Sequence, residues 1–238
     1  MSVWGKLGGF GVGFLIGGPI GALIGAVLGH VLVDRDGAIF GPTPKDVVFT
    51  TGLVALAAKM AKADGVVMRS EREAFRRIVE VNEADRERVE ALFDLAARTS
   101  DGYQAYARQM RDLLAEEPGL LEDVLDGLFL IAAADGAIHP REFDYLGEVA
   151  RIFGFDAVRF ERVAARHVRL ADDPYAVLGA SREMDDAALK SHYRRLVSEI
   201  HPDRAVARGL PPEAIAIATR RLATVNAAWD RISRERGA

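Results

Sequence analysis

Seven residues near the C-terminus have the types and spacing to dock a charged partner. His201, Pro202 and Asp203 stand together, with Lys190, Arg194 and Arg195 before them and Arg204 just after. Lys190 and Arg194 are four residues apart and share a face of any helix that carries them. Taken alone, such cations are a solvated helix surface. Beside an exposed His-Pro-Asp corner they form a patch that charge complementarity can steer onto an acidic partner. A second set of acids, Asp64 with Glu71 and Asp135 with Glu142, could in principle ligate a metal. Calcium needs about six to eight oxygens, and each of these short loops offers two carboxylates. Helix capping and turn formation account for the same residues, which leaves them as weak metal candidates. His30, His139, His167 and His192 are scattered, without the paired spacing of a zinc hydrolase. Ser181, Ser191 and Ser198 lack the setting of a nucleophile elbow. No phosphate-binding Gly-x-x-x-x-Gly-Lys-Ser/Thr loop occurs. The chemistry left is recognition, with no cofactor required.

The elements that must position the tripeptide are two amphipathic helices. Leu189, Tyr193, Leu196, Val197 and Ile200 line one face before it, and Ile215, Ala218, Leu222, Val225, Trp229 and Ile232 step by three and four after it. Packed as an antiparallel hairpin, they place His201-Pro202-Asp203 in a loop at the tip. Upstream, Asp173-Pro174-Tyr175-Ala176-Val177-Leu178-Gly179 spells a short helix, capped by Asp172 or Asp173 and ended by Gly179.

Residues 172–238 resemble a J-domain of the DnaJ type. The carrying residues are the Asp-Pro-Tyr-x-Val-Leu-Gly opening, Tyr193-Arg194-Arg195-Leu196, His201-Pro202-Asp203-Arg204 and Val225-Asn226-Ala227-Ala228-Trp229. The resemblance implies that the loop and the basic face engage a DnaK-type chaperone and stimulate its ATP hydrolysis, so the chain regulates an enzyme and is not one. Two departures stand out. Met184 occupies the place where J-domains often carry a capping Ser or Thr, although Asp185 and Asp186 still complement the helix dipole. No fourth helix, Gly/Phe-rich linker or zinc-binding module follows.

The first thirty-three residues read differently. Leu7 to Gly29 contain no charged side chain, and the apolar run continues to Val33. A helix of ~27 residues spans roughly 40 Å, enough for a bilayer core of about 30 Å with tilt or a kink. Glycine recurs every fourth position at Gly5, Gly9, Gly13, Gly17, Gly21, Gly25 and Gly29. Such a stripe lets helices approach closely in lipid, and it points to dimerisation through Gly9 to Gly25. In water the same glycines would cost about 1 kcal/mol each. A signal peptide fits poorly, since the stretch is long and lacks a clear cleavage site. A hairpin turning at Gly17-Gly18-Pro19 is the rival to a single kinked span, because Pro19 interrupts the backbone ladder.

Residues 34–46 form a linker with Gly37, Gly41, Pro42 and Pro44, and residues 47–170 read as helices. Their apolar seams include Val54, Leu56, Ala57 and Met60; Phe75, Ile78 and Val79; Val89, Leu92, Phe93 and Ala96; Tyr103, Tyr106, Met110, Leu113 and Leu114; Leu125, Leu128, Phe129 and Ile131; and Phe143, Leu146, Val149 and Ile152. An internal repeat relates Ala63-Asp64-Gly65 through Glu71 to Ala134-Asp135-Gly136 through Glu142. In each copy a helix ends at Asp-Gly and a new one opens just beyond. This repeat resembles the TerB-like tellurite-resistance domain. The order of glycine-striped anchor, TerB-like bundle and J-domain is similar to the DjlA family of membrane-anchored co-chaperones.

Composition agrees with an all-α protein of that plan. The chain has 238 residues, no cysteine and a net charge of −4, so a disulfide framework and a generally basic nucleic-acid binder are excluded. Charge is uneven: 0 over residues 1–43, −5 over 44–171 and +1 over 172–238. The family resemblance implies a bacterial inner-membrane protein crossing once, with its J-domain facing the cytoplasm. The alternative is a stress- or metal-responsive interaction protein in which the acidic middle domain does the work. A second alternative is an envelope scaffold with a vestigial J-domain, against which the intact His201-Pro202-Asp203 argues.

Overall fold

The computed structural model describes residues 18–22, 25, 45–63, 65, 67–79, 83–168 and 173–237. Those residues are helical or irregular, with no strand among them. The middle domain is built around two apolar helices, α1 (Lys45–Ala61) and α5 (Pro118–Ala132). Phe49, Leu53, Leu56 and Met60 of α1 and Leu125, Leu128 and Phe129 of α5 are fully buried. A helix apolar on most faces has to be surrounded, and it is. Around this pair pack α2 (Arg69–Ile78), α3 (Glu83–Ala96), α4 (Tyr103–Leu113), α6 (Pro140–Ile152) and α7 (Ala157–Ala165). Most expected seam residues are in the core, but Leu113 and Phe143 are exposed. Phe143 stays at the surface with its ring edge-on to Phe129 and Phe160, at 6.3 and 5.3 Å.

The repeat has a local cause. Glu71 Oε2 accepts the Met68 amide at 2.7 Å, and Glu142 Oε2 accepts the His139 amide at 3.0 Å. Each acid satisfies a donor that its own helix start would leave open. At the start of the second copy, a short 3₁₀ turn (Ala133–Asp135) after α5 ends at Gly136, whose φ of +94° needs glycine.

The C-terminal part comprises α8 (Pro174–Leu178), α9 (Asp186–Ile200), α10 (Pro202–Ala207) and α11 (Pro212–Arg236). Its own core joins Tyr175, Leu178, Leu189, Leu196, Val225 and Ile232. Asp173 caps α8 through the Tyr175 amide at 3.1 Å. Asp185 caps α9 through the Ala188 amide at 2.7 Å, so Met184 leaves no cap missing. Arg236 closes the unit by reaching Tyr175 Oη, the Met184 and Arg182 carbonyls and Asp186, all at 2.7–2.9 Å.

Within the glycine-rich N-terminal stretch, residues 18–22 are helical, and Ile20 and Ala22 are buried. The Ile20 amide donates to Gln109 Oε1 of α4 at 2.9 Å. Gly18 has φ +58°, so a right-handed helix cannot run through it unbroken. No helix among the described residues is long and apolar enough to cross a membrane.

Candidate partner-docking site

The His-Pro-Asp tripeptide is the start of a helix, where the sequence suggested a plain loop. Pro202 opens α10, a position that suits its fixed φ and missing N–H. His201 is the N-cap, and its Nδ1 accepts the Asp203 amide at 3.2 Å. That bond needs a lone pair on Nδ1, so the ring carries its proton on Nε2 when neutral. Asp203 Oδ2 lies 3.4 Å from the same nitrogen, and its side chain is 85% exposed. Asp203 thus sits in the first helical turn with its charge in water, ready for a partner.

The cations named beside the tripeptide lie at the surface. Lys190, Arg194, Arg195 and Arg204 are all exposed. Lys190 and Arg194 make no ion pair among the described residues. Arg195 is tethered: its Nη2 lies 3.0 Å from His192 Nδ1, while His192 Nε2 lies 2.8 Å from the Leu178 carbonyl. Arg204 Nη1 reaches the Ser198 carbonyl at 3.4 Å. Behind this face Tyr193 stacks on Trp229 at 4.5 Å and donates to Asn226 Oδ1 at 3.0 Å. Packing therefore fixes the helix whose outer side carries the cations.

The structure brings the tripeptide against the middle domain, which sequence reasoning did not foresee. Ala205 of α10, Leu210 of the loop after it, and Ala214 and Ile217 of the first half of α11 belong to the middle-domain core. A Cβ on Gly127 of α5 would lie 2.8 Å from Ile217 Cδ1, so glycine is what lets the helices meet. Next to this contact lies a buried ion cluster. Glu122 accepts from Arg159 at 2.9 Å, Arg166 at 2.8 Å, Arg162 at 3.3 Å, and also from Arg221. Arg221 Nη1 also donates to Asp123 at 2.9 Å, and Arg166 Nη1 to Asp126 at 2.5 Å. His167 Nε2 is 2.7 Å from Asp126, with its ring stacked on Phe129. At the rim, Arg208 pairs with Glu117 at 2.8 Å and Thr50 Oγ1 donates to Glu213.

Burial alone would raise all three acids of this cluster. Around Glu122, however, Arg221, Arg166 and Arg162 outweigh burial and hold its carboxyl well below the usual range. Asp126 is likewise held low, chiefly by Arg166 and the His167 hydrogen bond. Asp123 goes the other way: burial pushes it up to about 7, with Arg221 opposing and Asp126 adding to the rise. The signal was present in the sequence. Glu122 and Asp126 sit four apart with Asp123 between them in an otherwise apolar helix, and Arg159, Arg162 and Arg166 step by three and four.

Of the weak metal candidates, Glu71 and Glu142 cap helices, and Asp135 Oδ1 accepts the Ala137 amide at 3.1 Å. Asp64 lies outside the described residues. No cluster of metal-binding side chains occurs among the described residues. Of the glycine stripe, Gly21 and Gly25 are described, while Gly9, Gly13 and Gly17 lie outside the described residues.

Three family models match successive parts of the chain. They are the co-chaperone DjlA transmembrane domain over residues 1–56, tellurite resistance protein TerB over 50–165 and the DnaJ domain over 173–236. The co-chaperone protein DjlA of Shewanella oneidensis is 32% identical, over 100% of this chain and 99% of its own length. Those of Coxiella burnetii and Aliivibrio fischeri are 30% and 29% identical, each over 82% of this chain and 80% and 81% of their own. No solved structure matches. The chain belongs to the co-chaperone DjlA family. It is a J-domain co-chaperone with a membrane-anchor domain at its N-terminal end.

Proposed function

We propose that this member of the family stimulates ATP hydrolysis by a DnaK-type chaperone, and that the His201-Pro202-Asp203 corner is the point of action. The observation that carries the reading is the pairing of an exposed Asp203 with an unpaired basic helix face beside it. Lys190 and Arg194 supply long-range attraction to an acidic surface, while Arg195 and Arg204, partly tethered, present fixed donors. Stimulation follows if this surface binds the hydrolysis-competent arrangement of the partner better than the alternative, which shifts the population toward it. The chain itself needs no catalytic group for this.

The N-terminal stretch ties the co-chaperone to the bacterial inner membrane. ATP is on the cytoplasmic side, so the J-domain must face it. Self-association through Gly9, Gly13, Gly17, Gly21 and Gly25 is the pairing that a small-residue stripe favours in lipid.

The test is single-turnover ATP hydrolysis by the partner, with the wild-type chain and His201→Gln. The substitution is expected to abolish stimulation with helix content unchanged by circular dichroism. Full stimulation by His201→Gln would remove the assignment.

A further inference from the structure

His192 is half-buried on α9, one turn before the exposed Arg195, and the two share a face of that helix. Its ring bridges two elements. Nε2 lies 2.8 Å from the carbonyl oxygen of Leu178, the last residue of α8, and Nδ1 lies 3.0 Å from Nη2 of Arg195. The two contacts place the ring's proton. A carbonyl only accepts, so Nε2 carries a hydrogen and donates it. A guanidinium only donates, so Nδ1 keeps its lone pair and accepts. Both ends of the ring therefore select one form, the neutral imidazole protonated on Nε2.

The contact with Leu178 has a local cause. α8 ends there, and Gly179 turns the chain left-handed at φ +64°. The last carbonyls of a helix have no acceptor role within it. The Leu178 carbonyl takes the His192 N–H, and Leu178 is itself fully buried in the J-domain core. The ring is thus fastened to the core on one side and to a surface cation on the other. Arg194, the next cation along, makes no ion pair among the described residues and has no such tether. A guanidinium ordered before its partner arrives has already given up side-chain freedom, so docking costs less. One N–H is spent on His192, and the rest of the planar fork is left for a carboxylate.

We propose that His192 is a positioning residue for partner docking: it holds the Arg195 guanidinium in the orientation that an acidic group of the DnaK-type partner meets. The proposal rests on the docking role given above to the basic face. His192 acts through Arg195 and through nothing else on that face. Its tie to Leu178 would also serve the fold alone, so the test has to separate the two roles.

The full-length chain is titrated against the partner's single-turnover ATPase at low salt, where Lys190, Arg194 and Arg204 keep weakened variants measurable. His192→Ala is expected to raise the half-stimulating concentration roughly three- to tenfold, the scale of ordering one long side chain, with the maximal rate retained. His192→Asn should recover most of that loss, because its Oδ1 stands as many bonds from the backbone as Nδ1 and accepts from Arg195. In an Arg195→Ala chain, His192→Ala should change nothing further, since the guanidinium that it positions is gone. An equal penalty from His192→Ala with and without Arg195 would assign His192 to the fold alone and overturn the proposal. So would a His192→Ala chain that titrates like the wild type. If either occurs while His201→Gln is inactive, the proposal falls and the role of the corner stands. If the wild-type chain gives no stimulation, the role of the corner fails and this proposal falls with it.

Discussion

The first half of α11 buries Ala214 and Ile217 in the core of the middle domain, whereas its second half buries Val225 and Ile232 with α8 and α9. One helix thus serves two cores. The arginines follow the same division. Arg221, between the halves, is 7% exposed and bonded to Glu122 and Asp123, while Arg194 on α9 is exposed and makes no ion pair among the described residues. A buried guanidinium has to be matched by acids on the spot, or desolvation drives the structure apart. An exposed one gains little within the chain and is left available to a partner. The lesson is that like residues can do opposite work: one is spent on joining the two cores, the other is left open for the proposed docking.

The hardest blow to this division is Arg221→Ala. It leaves Glu122, Asp123 and Asp126 buried around a missing cation, and breaking such a buried pair costs roughly 3–5 kcal/mol. A matching fall in stability by urea denaturation is expected, with the transition broadened as the two cores uncouple. A loss below about 0.5 kcal/mol, the range of a plain surface substitution, would place Arg221 with Arg194 and end the contrast.

Acidity sharpens the comparison from the other partner of the pair. Burial raises the Asp123 carboxyl to about 7 from an ordinary 3.8. A proton is then held more tightly in the folded state than in the unfolded one. The resulting stabilisation is fully present below about pH 4 and is lost as pH rises through about 7. Glu122 and Asp126, held low, act in the opposite sense: their contribution is present above the carboxylate range and lost as pH falls through it. Stability should therefore decline between about pH 5 and about pH 7 and level off above, and Asp123→Asn should flatten that decline. A wild-type urea midpoint that rises over the same window would contradict this description of the cluster.

The smallest change in stability belongs to the open face. Lys190→Ala and Arg194→Ala should alter it by less than about 0.5 kcal/mol. Both should weaken partner binding, and wild-type binding should weaken further with added salt, because exposed charges are screened. Binding that ignores salt and tolerates both changes would return these residues to an ordinary solvated helix surface.

Much of this was legible in the sequence, for identifiable reasons. The 3.6-residue spacing of Leu189, Leu196 and Ile200 reported a helix with one buried face, because periodicity records burial directly. Glu71 and Glu142 could be read as caps, because a capping acid is local to its own helix. The spacing of Ile215 and Ala218 did not reveal that the start of α11 belongs to another core, since a hydrophobic stripe does not say what it packs against. Leu113 and Phe143 followed their stripes to the edge of the bundle and stayed at the surface. The joining of Arg221 to Glu122 and Asp123 spans about a hundred residues of sequence, and no local rule connects such distant charges. His201 as a helix cap was hidden for another reason: α10 is only six residues long, too short to show a period.

Asp203 offers the most direct measurement. Its side chain is 85% exposed and, among the described residues, pairs with His201 Nδ1 alone, at 3.4 Å, so replacing it disturbs little. Asp203→Asn in the full-length protein, assayed by single-turnover ATP hydrolysis of the DnaK-type partner, separates docking from folding. The account predicts loss of stimulation with an unchanged urea midpoint. Full stimulation by Asp203→Asn at that same midpoint would contradict it.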